Sequence, residues 1–120
     1  MTLDEYIKLE EYCRSLGFIT IVVKYPFSFC VRFPNSHHLN MLLDSCFYIG
    51  MDNPYLYIYK ANVKFFSKKY YTINQRKTFY EGNISGISYE LCKKIFTKAM
   101  LAYKKYSIKT KIKDIEKLFK

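Results

Sequence analysis

Lys64, Lys68, Lys69, Arg76 and Lys77 are interleaved with Phe66, Tyr70 and Tyr80 in one stretch of this chain. Ammonium and guanidinium groups so placed neutralise phosphates or an acidic protein surface, and the flat rings between them stack on unpaired bases. Lysine outnumbers arginine seventeen to three in the whole chain, which favours point-charge contacts to a backbone over bidentate reading of base edges.

Residue types suited to catalysis are present but scattered. His37 and His38 are adjacent, and adjacent imidazoles diverge, so one ion does not easily take both. A ββα-metal nuclease holds a divalent ion with histidine and asparagine carried on a set strand and helix. Around His37-His38 that strand, that helix, the paired ligands and an acidic cluster are missing, and the resemblance fails. The pair reads as a partly exposed loop. Cys30 or Cys46 with His37 or His38 would make a thiol–imidazole couple, but no third group is placed to orient it. Cys13, Cys30, Cys46 and Cys92 are spaced with no C-x-x-C pair, each inside an apolar pattern. They read as buried free thiols, with a disulfide or a metal site as the alternatives. Asn83-Ile84-Ser85 matches a glycosylation sequon but reads as a turn. The expectation is a protein that is not an enzyme and uses no cofactor or metal.

The formal charge of +10 is unevenly shared. Residues 1 to 59 carry four basic and six acidic side chains, a balance of −2, and residues 60 to 120 carry sixteen and four, a balance of +12. A field of that sign attracts phosphates or acidic proteins. The plainer alternative is a solvated face, since coding from AT-rich codons also enriches Lys, Tyr, Ile, Asn and Phe. No run of about 18 apolar residues is long enough to span a membrane. The first residues are acidic helix formers instead of a basic and apolar leader, so a cytoplasmic protein without a membrane partner is expected.

The elements that must position the basic stretch follow from hydrophobic period and punctuation. Thr2 and Glu5 have capping-box spacing, and Tyr6, Leu9, Cys13 and Leu16 recur at helical intervals, with Glu10, Glu11 and Arg14 left to water. Gly17 closes that helix. Phe18 to Lys24 and Phe27 to Phe33 form a hairpin across Tyr25-Pro26, with Phe27, Phe29, Val31 and Phe33 on one face and Ser28, Cys30 and Arg32 on the other. Pro34 ends the ladder. Asn35 or Ser36 caps a short helix or turn at Met41-Leu42-Leu43, and Cys46 to Ile49 is a short strand or that helix's end.

Tyr55 to Ile73 is the centre of the pattern. Tyr55, Tyr57 and Tyr59 alternate with Leu56 and Ile58 as in an interior strand, and lysines then intrude from Lys60. The length predicts two strands with a kink near Ala61-Asn62. Asn74-Gln75-Arg76 turns into an edge strand over Lys77 to Glu81, and residues 82 to 86 form a loop. Ser88 caps a long helix over residues 88–106. Its buried row is Leu91, Ile95, Ala99 and Tyr103, flanked by Cys92, Phe96 and Met100, while Lys93, Lys94, Lys98 and Lys105 lie away from it. Ser107 to Thr110 breaks the period. Ile108, Ile112, Ile115 and Phe119 then mark a second, terminal helix over residues 110–119.

These elements predict a single α+β domain. It has a mostly antiparallel sheet of about four or five strands, one helix at the N-terminus, two at the C-terminus, and the long helix packed on the sheet. Two functions of different class fit. The first is a binding protein whose basic, Tyr- and Phe-rich half engages RNA, single-stranded DNA or a protein surface that is acidic or carries nucleic acid. The second is a phage or mobile-element protein that inhibits a host enzyme, such as a defence nuclease, through direct protein contact. Tyrosine suits that role because it buries a large rigid area and keeps a hydroxyl to pair.

Overall fold

In the computed structural model, which describes residues 1–34, 41–46, 52–60 and 77–119, the chain opens with helix α1, Leu3–Ser15. Its N-terminus is a capping box: the Glu5 amide donates to Thr2 Oγ1 at 3.1 Å and the Thr2 amide donates to Glu5 Oε1 at 2.9 Å. The bond from the Thr2 amide to the charged carboxylate holds the Glu5 carboxyl below its ordinary pKa. Gly17 follows with φ of 103°, a left-handed conformation that a side chain would strain.

Five strands follow: β1 Ile19–Lys24, β2 Phe27–Arg32, β3 Met41–Cys46, β4 Tyr55–Tyr59 and β5 Thr78–Asn83. They lie in the order β1-β2-β3-β4-β5, each antiparallel to its neighbour. A turn of 3₁₀ helix at Ile84–Gly86 leads to the last helix, α2, Tyr89–Leu118. Its cap is Ser88, whose Oγ accepts from the Leu91 amide at 3.1 Å. The molecule is an α+β domain with an antiparallel sheet, an N-terminal helix and a long C-terminal one.

One face of the sheet carries the core. Val31, Leu43 and Ile58 sit side by side across β2, β3 and β4, and with Phe29, Leu42, Leu56 and Phe33 they are fully buried. It is α1 that lies across this face. The Tyr6 ring stacks on Phe29 at 4.7 Å and meets Phe27 edge-on at 5.7 Å. Its hydroxyl donates to Ser45 Oγ at 2.8 Å, and Ser45 Oγ in turn donates to the Phe29 carbonyl at 2.7 Å. Burial pushes the Tyr6 phenol up to about 12. The long helix meets the open end of the β1–β2 hairpin. There Phe96 meets Phe18 edge-on at 5.8 Å, and Tyr103 stacks on Phe33 at 4.9 Å and donates its hydroxyl to the Pro34 carbonyl at 2.6 Å.

Three readings of the sequence are corrected here. Met41-Leu42-Leu43 is strand, the first half of β3, because Leu43 fills the core between Val31 and Ile58. The register shifts between Val31 and Arg32, so that Leu42 is an extra residue opposite them. That bulge lets the consecutive Leu42 and Leu43 both be buried, which hides the strand's period of two. Second, the two C-terminal helices are one. No glycine or proline occurs after Gly86, and the Thr110 hydroxyl is absorbed by the Tyr106 carbonyl one turn back at 3.0 Å, so nothing stops the helix at residues 107 to 110. Third, Glu10 is buried, with 7% of its surface exposed. It accepts from Arg14 at 3.0 and 3.2 Å and from the Thr20 hydroxyl at 2.8 Å. The expected caps at Asn35 or Ser36 and the kink near Ala61-Asn62 lie outside the described residues.

Candidate nucleic-acid interface

Of the eight residues singled out for chemistry, Lys64, Phe66, Lys68, Lys69, Tyr70 and Arg76 lie outside the described residues, as do His37 and His38. Lys77 is exposed just before β5, its carbonyl accepting from the Lys60 amide at 2.8 Å. Tyr80 faces inward opposite Ile58 and packs against the core. Its hydroxyl donates to the Asn83 carbonyl at 2.6 Å, and the ring lies so close over Gly82 and Gly86 that a methyl group at either would collide with it. Lys77 is therefore offered to solvent, while Tyr80 is taken up by the fold.

The largest cationic surface among the described residues is on α2. This helix carries nine lysines against Glu90, Asp114 and Glu116. At about 100° per residue, Lys94, Lys98, Lys105, Lys109, Lys113 and Lys117 form one flank that winds slowly round the axis and spans roughly 35 Å. All six are exposed. Lys93, Lys104 and Lys111 make a second, shorter row on the other flank. Among the described residues the one ion pair is Arg14 with Glu10 on α1, so no described carboxylate lies within ion-pairing distance of either row. The sequence already held both sets of lysines, but the supposed break at residues 107 to 110 divided them between two helices. The uninterrupted absence of glycine and proline was the signal that they belong to one.

The row begins beside a ring. A shallow groove of about 320 Å³ between α1 and α2 is lined by Tyr12, Glu90, Lys93, Lys94, Thr97 and Lys98. Lys93 Nζ lies 5.1 Å from the Tyr12 ring centre and 5.2 Å from that of Tyr89, a cation held between two aromatic faces. The Tyr12 hydroxyl and Thr97 Oγ1 share a hydrogen bond of 2.6 Å. Lys94 and Lys98 thus stand in the lining of a groove whose one aromatic wall, Tyr12, is covered by Lys93, with Glu90 the one acid beside them.

The thiolates of Cys13, Cys30 and Cys92 are disfavoured. Burial raises the pKa of Cys13, that of Cys92 to about 12 and that of Cys30 to about 11. The Cys30 thiol donates to Asp44 Oδ1 at 3.4 Å, and the negative carboxylate further disfavours a thiolate. The four cysteines are unbridged. Among the described residues no three His, Cys, Asp or Glu side chains are grouped to hold a metal ion, and no helix is long and apolar enough to cross a membrane. Comparison with known protein families, curated proteins and solved structures finds no match for this chain.

Proposed function

We propose that this is a non-enzymatic binding protein of the cytoplasm whose basic half engages nucleic acid, RNA or single-stranded DNA, chiefly through its backbone. The observation that carries the reading is the row of six exposed lysines on α2 with no acidic partner among the described residues. Four of its intervals, Lys94–Lys98, Lys105–Lys109, Lys109–Lys113 and Lys113–Lys117, are like charges one turn apart. Each destabilises the helix by about 0.2–0.5 kcal/mol, a cost that a polyanion lying along the row removes. Lys77 and the basic, aromatic residues Lys64, Phe66, Lys68, Lys69, Tyr70 and Arg76 supply further phosphate and stacking contacts in this reading.

The test is fluorescence anisotropy with a labelled single-stranded RNA oligonucleotide. Lys105→Glu with Lys109→Glu, and separately Lys68→Glu with Lys69→Glu, should each weaken binding at least tenfold while the circular dichroism spectrum stays unchanged. Full binding by the folded double variants would remove the reading.

The exposed apolar residues of α2, Leu101, Ile108, Ile112, Ile115, Leu118 and Phe119, favour a second reading, in which the chain is an inhibitor of phage or mobile-element origin that docks on a host enzyme. An affinity pull-down with and without nuclease separates the two, since only protein-held partners survive digestion.

A further inference from the structure

Helix α2 changes its apolar side halfway along. Up to Tyr103 the buried or half-buried side is Cys92, Phe96, Ala99, Met100 and Tyr103. Beyond it the apolar residues are Leu101, Ile108, Ile112, Ile115 and Phe119, on a stripe turned by roughly 150° about the axis. Every residue from Ile108 to Phe119 is exposed, including Ile112 at 50% and Phe119 at 84%. The domain's longest dimension is 61 Å against 28 and 22 Å, as a helix running past its body requires. The intervals 101–108–112–115–119 are those of a heptad seam two residues wide, narrower than the broad apolar face of a helix that lies on a bilayer.

The stripe starts where α1 stops. Along the packed half of α2, α1 runs beside the side that carries Lys93 and Thr97, joined through Tyr12, and its end at Gly17 reaches Met100. The stripe lies about 50° round from that side, so it prolongs the surface that α1 covers. The flanks of the stripe are cationic, Lys104 and Lys111 on one side and Lys109 on the other with Glu116 the one acid beside it, and Lys105 stands in the seam itself between Leu101 and Ile108. A second copy of α2 would set lysine against lysine, in parallel through Lys104 and Lys109, with Lys111 and Glu116 the one pair opposed in sign, and in antiparallel through Lys109 and Lys111 with their own counterparts. The helix that α2 does accept, α1, is amphipathic and carries Asp4, Glu5, Glu10 and Glu11.

We infer that the exposed arm of α2 is a docking seam for an acidic amphipathic helix of another protein, which packs end to end with α1 as a two-stranded coiled coil. Ile108, Ile112, Ile115 and Phe119 supply the knobs, and Lys104, Lys109 and Lys111 select acidic side chains at the partner's flanking positions. Lys105 and Lys109 also belong to the nucleic-acid row, but the inference rests on the apolar stripe, which that reading does not use.

The test uses the full chain and a synthetic three-heptad peptide with isoleucine at a, leucine at d and glutamate at e and g, beside a counterpart with lysine at e and g. The acidic peptide should bind at equimolar stoichiometry and the basic one should not. Ile112→Asp should weaken binding of the acidic peptide at least tenfold with no change in melting temperature, because the residue is exposed and takes no part in the core among the described residues. Absence of binding, equal binding of both peptides, or an Ile112→Asp variant that binds like the wild type would each overturn the inference. So would a wild-type dimer in sedimentation that Ile112→Asp dissociates, which would make the occupant a second copy. Failure of the peptide together with Ile112-dependent binding to phosphatidylserine vesicles would assign the stripe to a lipid surface instead.

Discussion

If the lysine row of α2 lies along a nucleic-acid strand, the salt dependence of binding counts its contacts. The six ammonium groups from Lys94 to Lys117 extend over roughly 35 Å at about 1.5 Å per residue, enough to face about ten phosphates of one strand at about 3.4 Å each. Each ammonium that displaces a condensed counterion contributes about −0.7 to the slope of log K against log salt for a single strand, so six give about −4. Affinity should then fall by roughly 250-fold between about 50 and 200 mM salt. Replacing Lys105, Lys109 and Lys113 by Gln leaves three contacts, a slope of about −2 and a fall of roughly 20-fold over the same range. The substitutions also remove three like-charge helix pairs, so the arm should not unwind. Anisotropy titrations with one labelled oligonucleotide at a series of salt concentrations measure both slopes. Parallel lines for the two proteins would show that the row makes no phosphate contact, and no binding at low salt would remove nucleic acid as the ligand.

The remaining predictions concern the body that carries the arm. Ile58→Ala and Phe96→Ala, both at fully buried positions, should cost about 2–5 kcal/mol in urea unfolding, whereas Ile112→Ala on the exposed arm should stay within about 0.5 kcal/mol. Alkaline pH should destabilise the domain. The folded state holds the Tyr6 proton to about 12 against an ordinary value of 10.0, so the unfolded chain loses it first. The stabilisation is complete below pH 10 and is lost as pH rises through 12, amounting to about 3 kcal/mol at most. Tyr6→Phe should lower stability at neutral pH by about 0.5–1.5 kcal/mol through the lost bond to Ser45 while flattening the alkaline decline; a decline unchanged in that variant would acquit Tyr6. With a thiol-specific reagent at pH 8, Cys13 and Cys92 should be silent in the native protein and react on unfolding, and rapid native labelling of either would contradict its burial.

Much of the fold was legible because single residues mark it. Thr2 with Glu5, Ser88, and Gly17 set the helix ends where expected, and Phe27, Phe29, Val31 and Phe33 turn one face of β2 to the core as their alternation predicts. Tyr55 to Tyr59 is an interior strand with Leu56 and Ile58 inward. What could not be read depends on residues meeting across the fold. The bulge opposite Val31 turns a Leu-Leu pair that looks helical into strand. Glu10 looks like a solvent-side charge until Arg14 and Thr20 close over it. The apolar side of α2 rotates because its first half has α1 and the hairpin to pack on and its second half has neither. Periodicity alone reads such a rotation as a break.

The rotation also explains why stability and recognition should separate by position in this chain. Each buried residue of α2 lies at or before Met100, so the twelve exposed residues from Ile108 to Phe119 add nothing to the core. An isolated helix that short is marginal in water, because forming the first turn is unfavourable and few residues follow to offset it. Here the packed half has already formed the nucleus, and the arm only propagates it. Lys117 near the negative end of the helix dipole adds a little support. A segment with no part in the core, held helical by its connection to one, keeps its whole circumference available: lysines on two flanks and a narrow apolar seam between them. Charge reversal there alters what the arm can meet and leaves the body untouched, whereas truncation of Ile58 or Phe96 removes the platform from which the arm extends.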